Sequence, residues 1–152
     1  MSAGLLMYRR RAAGLEVLLA HPGGPFWSKK DDGVWSIPKG EVNSDEDFLK
    51  AAIREFKEEI GASPDEKTEF LPLGEIKQKA GKIVHAWAFC GDLPPNHKIT
   101  GGRFEVPWPP RSGKLATFPE IDRTEFFTIL QAKKKILERQ QAFLDRLVNL
   151  VG

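Results

Sequence analysis

Three glutamates, Glu55, Glu58 and Glu59, fall three and four residues apart in the stretch REFKEEIG, residues 54–61. On a helix such spacings share one side. At 100° per residue the three fall within an arc of about 100°. Like charges that close repel, and a divalent cation is the natural relief. Hard cations such as Mg²⁺ take oxygen ligands and suit a carboxylate cluster shared with water and phosphate. A metal so held can lower the pKa of a bound water and stabilise developing charge on phosphate oxygens. Those are the needs of water attacking phosphorus in a diphosphate linkage. Read by itself, the triplet fits a solvated helix face better, with Lys50 and Lys57 as partners.

The segment that must carry them is the clearest helix in the chain, over residues 45–60. Ser44 is an N-cap candidate with Asp47 three residues later, and Gly61 is a C-terminal stop. Leu49, Ala52, Ile53, Phe56 and Ile60 recur at helical spacing and predict the buried stripe. The glutamates flank that stripe and do not point into it.

Extended to the left, the stretch reads GEVNSDEDFLKAAIREFKEEIGA, residues 40–62. It resembles the Nudix box, the loop–helix–loop signature of the Nudix hydrolases. Gly40, Glu46, Arg54, Glu55, Glu58, Glu59 and Gly61 fill its fixed positions. Phe56 and Ala62 stand where the box has bulky aliphatics, and Ala62 is a mild departure. The resemblance assigns Glu55, Glu58 and Glu59 to metal binding, with Mg²⁺ as the cofactor and Mn²⁺ compatible with the same oxygen site. One of them would also help deprotonate the attacking water. Arg54 would orient its neighbouring glutamate, the Gly40 carbonyl could add a ligand, and Glu46 would brace the motif. The implied fold is α/β, the Nudix α/β/α sandwich with a mixed central sheet flanked by helices.

Two further features bear on the substrate. VWSIPKGE, residues 34–41, is similar to the W-x-x-P-K-G approach to the box in Nudix enzymes acting on diadenosine polyphosphates and inositol pyrophosphates. Lys39 would then meet phosphate. Trp35 could stack on a base or fill the core, and the core is the favoured place. FPEIDRTEFF, residues 118–127, matches the P-E that many Nudix proteins carry before their last strand and helix. There Glu120 would reach the metals as ligand or base, with Glu105 in reserve. His85 alternates with apolar neighbours in KIVHAWAF and is a substrate-cleft candidate or a half-buried strand histidine. Arg103, Arg111, Lys114 and Lys29 could meet phosphates. One of Phe26, Trp27, Phe104 and Trp108 is expected to hold a nucleobase.

The rest of the chain bounds these readings. Its 152 residues fit one domain, 1–152, with 41% hydrophobic and 29% charged residues. A net charge of +2 argues against nucleic acid as the partner and leaves room for an anionic small molecule. The single cysteine, Cys90, cannot form an internal disulfide and reads as a buried thiol of a reducing compartment. No window approaches the roughly 20 apolar residues of a membrane span. MSAGLLMYRRRAAG places its apolar part before its basic part, the reverse of a signal peptide, so a cytoplasmic protein is expected.

AGLLMYR and LEVLLAH predict two strands, VWSI a short strand, 39–43 a loop, and residues 69–92 a hairpin around Ala80-Gly81. Residues 93–123 read as a long functional loop, TEFFTI as a strand and 131–150 as a second helix. The function expected is metal-dependent cleavage of a phosphoanhydride in a nucleoside diphosphate-X compound, a dinucleoside polyphosphate or nucleoside triphosphate foremost. The alternative is a catalytically inactive nucleotide sensor or interaction module of the same fold. Such a module should have lost carboxylates that this chain keeps. Oligomeric state is left open.

Overall fold

The computed structural model describes residues 1–152. Its centre is β1, Ser2–Arg11, whose residues alternate between two cores. Leu5 and Met7 face one, and Leu6 faces the other. That period-two alternation makes a sheet buried on both faces. β1 runs antiparallel to β2, Gly14–Pro22, and parallel to β5, Ile83–Cys90. β4, Leu71–Lys77, and β8, Ile121–Thr128, complete a mixed sheet of order β4-β5-β1-β2-β8. The β4–β5 connection is the expected tight turn, with Ala80 and Gly81 both at positive φ.

One face is covered by α1, Phe48–Ile60, through Ala51, Ala52, Phe56 and Ile60. The other is covered by α2, Ile129–Lys135, and α3, Gln141–Val151, with Phe143, Leu144 and Leu147 buried. The α/β/α sandwich is therefore present.

Several boundaries differ from expectation, each for a local reason. The N-cap of α1 is Asp47, whose carboxylate accepts from the Lys50 N–H; Ser44 lies outside the helix. Residues expected as loop form β3, Lys39–Glu41, antiparallel to residues 2–4 of β1. β2 pairs with β1 only over Tyr8–Arg11, so the start of β1 would otherwise show open backbone groups on that side. VWSI makes only isolated bridges, Ser36 to Ala20 and Trp35 to Ile136.

The segment 93–123 is not all loop. It folds into a hairpin of β6, Arg103–Pro107, and β7, Leu115–Pro119, and then joins β8.

The expected helix 131–150 begins earlier and breaks at Ile136, which is extended at φ −74°, ψ 151°. The carbonyls of Lys134 and Lys135 accept from Gly33 and Trp35 N–H, and Leu137 N–H donates to the Trp35 carbonyl. Backbone pairing with residues 33–35 thus displaces helical pairing at this point. Cys90, expected buried, is exposed at the end of β5.

Candidate active site

Position in the site begins with β3. Gly40 sits under α1 so closely that a Cβ there would stand 2.1 Å from the Glu55 carboxylate. Only glycine permits this approach of strand to helix. At the other end of α1, Gly61 closes the helix in the left-handed region, φ 80°, its N–H donating to the Lys57 carbonyl.

Arg54 is the hub of the motif. Its Nε and Nη2 grip the two Glu46 oxygens at 2.8 Å each, a bidentate pair. Its Nη1 donates to Glu55 Oε1 at 2.8 Å and lies 3.4 Å from Glu58 Oε2, and its Nη2 also reaches the Glu41 carbonyl. Glu46 in turn accepts from the Asn43 N–H. Arg54 thus contacts Glu55 and, through Glu46, links the loop to the helix. The hydrogen bonds from Arg54, foremost, hold the Glu46 carboxyl down at about 2. Glu46 likewise holds the Arg54 guanidinium above its ordinary value.

Glu59 is the contrasting carboxylate. It is half-buried, and desolvation, then the charges of Glu55 and Glu120, push its carboxyl up to about 8 against the pull of Lys39. Burial, the main cause, holds Lys39 below its ordinary value, while Glu59, Glu41 and Glu55 pull the other way.

Lys39, Glu59 and Glu120 all line a cavity of about 300 Å³. Glu120 arrives there from the turn between β7 and β8. Its N–H donates to the Gly102 carbonyl and its carbonyl accepts from Gly23 N–H, which pins the turn between β7 and β8. Apart from Ser36, the remaining lining is apolar, with Val34, Ile37, Ile121, Leu137 and the indole of Trp27 among it.

The wall is held by two residues that sequence reasoning passed over. Gln140, buried, accepts from Ile37 N–H and donates through Nε2 to Ser36 Oγ and Gln78 Oε1. It fastens the segment leading to Lys39 onto the break between α2 and α3. His21, buried in β2, has Nδ1 2.8 Å from Asp122 Oδ1 and Nε2 2.6 Å from the Lys30 carbonyl. It ties loop 23–33 to the Glu120 turn. Neither residue belongs to a recognisable motif; His21 stands out only by its apolar neighbours in LLAHP, and Gln140, in the polar run ERQQ, carries no sequence signal at all.

Other sequence candidates fall elsewhere. Trp35 is 1% exposed, with its indole N–H on Asp31 Oδ1, so it fills the core and offers no face to a base. His85 does not line the cavity; its ring stacks on Phe48 with centroids 4.3 Å apart, two strands from Gly40 across Ala3. Glu105 is exposed on β6 and likewise lies outside the cavity. Arg103, Arg111, Lys114 and Lys29 are all exposed.

As they stand, no three acidic, His or Cys groups are gathered tightly enough to coordinate one ion, since Glu55 is turned onto Arg54 and Glu58 is more than half exposed. The donor chemistry nonetheless fits a hard divalent cation. The set is all oxygen, Gly40 brings a strand backbone against Glu55, and Glu59 lies desolvated beside the charges of Glu55 and Glu120, which such a cation would neutralise.

Comparison with known proteins agrees with this geometry. The NUDIX domain model matches residues 1–147. A stretch is 40% identical over 67 residues to the RNA pyrophosphohydrolase of Gluconacetobacter diazotrophicus, covering 39% of this chain and 38% of that protein. Another is 39% identical over 67 residues to the asymmetrical bis(5′-nucleosyl)-tetraphosphatase of Caenorhabditis elegans, covering 44% of each. These matches span less than half the length of the curated relatives.

The crystal structure of a C. elegans Ap4A hydrolase binary complex superposes with a TM-score of 0.71 over 99% of this chain and 98% of that one, at 23% identity. The NUDIX domain of Shewanella oneidensis NrtR with ADP ribose gives 0.61 over 99% and 87%, at 13% identity. At these identities the superpositions show a shared fold. A family match that runs through nearly every element from β1 into α3 makes this chain a member of the Nudix family.

Proposed function

We propose that the protein is a divalent-metal-dependent Nudix pyrophosphohydrolase that cleaves a phosphoanhydride bond of a nucleoside diphosphate-X substrate, foremost a dinucleoside polyphosphate. The observation that carries this reading is the single cavity in which Lys39, Glu59 and Glu120 meet an apolar chamber. A polyphosphate needs the first part and a nucleoside the second. The similarity to a bis(5′-nucleosyl)-tetraphosphatase and the P-K-G approach support the same substrate class. The family match over residues 1–147 supports reading 1–152 as one domain.

In this account Glu55, Glu58, Glu59, Glu120 and the Gly40 carbonyl would hold Mg²⁺, or Mn²⁺ in its place. The ion, when bound, supplies phosphate charge neutralisation and an acidified water. The chain's own residues do the rest. Arg54 keeps Glu55 aimed at Gly40, and Lys39 presents its ammonium to phosphate oxygens. Glu58 or Glu120 accepts the proton of the attacking water. Trp35 and His85 fall outside the substrate set, one in the core and the other against Phe48. The protein as proposed works on a small molecule in the cytoplasm. No helix is long and apolar enough to cross a membrane.

The test is a panel of diadenosine tetraphosphate, nucleoside triphosphates, ADP-ribose, an inositol pyrophosphate and a 5′-triphosphorylated RNA, each with and without Mg²⁺. Metal-dependent release of ATP and AMP from the tetraphosphate is the expected result. Preferential cleavage of the RNA would favour the second reading, which rests on the similarity to an RNA pyrophosphohydrolase. Nucleotide binding without turnover of any member would make the protein a sensor.

A further inference from the structure

We infer that Trp27 is the stacking platform for the substrate's nucleobase, and that the chamber it closes accepts any base with little discrimination. This rests on the hydrolase reading above and names how that site holds its nucleoside.

Elimination among the aromatics comes first. Phe26 is exposed and meets Trp108 edge to face with centroids 5.8 Å apart, and neither lines the cavity. Phe104 packs against Gly24, where its Cζ lies 2.6 Å from the position a Cβ would take. Trp35 is in the core. Trp27 alone of the loop aromatics lines the cavity that holds Lys39, Glu59 and Glu120, and it is 40% exposed. An indole that open, beside an apolar chamber, is a surface waiting for a flat partner.

The platform is also prepared before any ligand arrives. Residues 24–30 turn on themselves through Trp27 N–H and Ser28 N–H to the Gly24 carbonyl and Lys30 N–H to the Trp27 carbonyl. The buried His21 fixes the Lys30 carbonyl at 2.6 Å, and Phe26 braces the loop against the β6–β7 hairpin through Trp108. The Lys30 ammonium stands 5.0 Å from the Trp27 ring centroid, a cation–π contact that steadies the indole. A stacking residue already held in place loses little freedom on binding.

Weak discrimination follows from what the chamber lacks. Base identity is read by side-chain donors and acceptors set against the base edge. Here the apolar part is walled by Val34, Ile37, Ile121 and Leu137. The hydroxyl of Ser36, also in the wall, is occupied at both ends: it donates to the Ile37 carbonyl and accepts from Gln140 Nε2. Stacking without edge contacts is tolerant, because every base has a π-face.

The experiment compares wild type, Trp27→Ala and Trp27→Phe on the tetraphosphates of diadenosine, diguanosine and diuridine with Mg²⁺. Thermal melts accompany the kinetics to show that the variants are folded. Wild-type kcat/KM is expected to agree within about tenfold across the three. Trp27→Ala should raise every KM about tenfold or more, with kcat falling less, and Trp27→Phe should recover most of the loss. An unchanged KM in folded Trp27→Ala overturns the platform, and a preference for one base above tenfold overturns the tolerance. Should wild type turn over none of the three, the hydrolase reading fails, and titration with ADP and UDP decides the subsite separately. Affinity for both about tenfold weaker in Trp27→Ala upholds it, whereas equal affinity rejects it.

Discussion

Arg54 is the residue on which the carboxylates depend, because one planar guanidinium serves Glu46, Glu55 and the Glu41 carbonyl together. A lysine cannot reproduce that fork. Arg54→Lys should therefore cost about 2 kcal/mol in urea unfolding, as loss of charged hydrogen bonds does, and lower kcat as well. The Glu46 pair also sets an acid limit. Its carboxyl sits at about 2 when folded, below the ordinary 4.5, so its stabilisation is complete above about 4.5 and is lost as pH falls toward about 2. Melting between those pH values should show it, and Glu46→Gln should flatten that part of the profile. Glu59 runs the opposite way. Its carboxyl is raised from 4.5 to about 8, so the folded state without metal holds a proton that the unfolded chain has released. Stability of the metal-free protein should fall as pH rises across that window. Added Mg²⁺ should raise the melting temperature more at pH 8 than at pH 5.5. An equal rise at both would separate Glu59 from the cation.

At the scale of elements, β3 and the α2–α3 break place the residues that the motif only names. Gly40→Ala would drive a methyl group into the Glu55 carboxylate, so kcat should drop at least tenfold while the fold persists, as checked by kinetics beside a melt. Gln140→Leu would leave the buried Ile37 N–H without an acceptor. A loss of about 1–3 kcal/mol in chemical denaturation is expected, with a raised KM as Lys39 loosens. The box helix was legible in the sequence because Phe56, Ile60 and Gly61 obey local rules of period and capping. Ser44 misled because Asp47, three residues on, caps the same helix one turn later. β3 could not be read locally, since its strand partner is the start of β1, with Gly40 opposite Ala3, far away in sequence. The break at Ile136 is likewise tertiary: residues 33–35 outcompete a helical turn that propensity alone would continue.

For the molecule as a whole, the layers on the sheet were foreshadowed by the apolar stripe expected over residues 45–60 and by the second helix expected over 131–150. The cavity was not. Its walls come from β2, loop 23–33, β3, α1, β8 and the segment after α2, and no sequence pattern reports such a convergence. Lys39 and Glu120 were named from motif resemblance, and the fold brings them to Glu59. Trp35 and His85 were named from type and alternation, which do not tell a core position from a cleft. This convergence is proposed to make a metal-dependent phosphoanhydride hydrolase. Its most direct test is diadenosine tetraphosphate turnover by wild type and Glu59→Gln, with Mg²⁺ and with chelator, products separated. ATP and AMP formed by wild type only with Mg²⁺, and about 100-fold or more slowly by the variant, is the predicted result. Equal cleavage in chelator, or by Glu59→Gln at the wild-type rate, would contradict it.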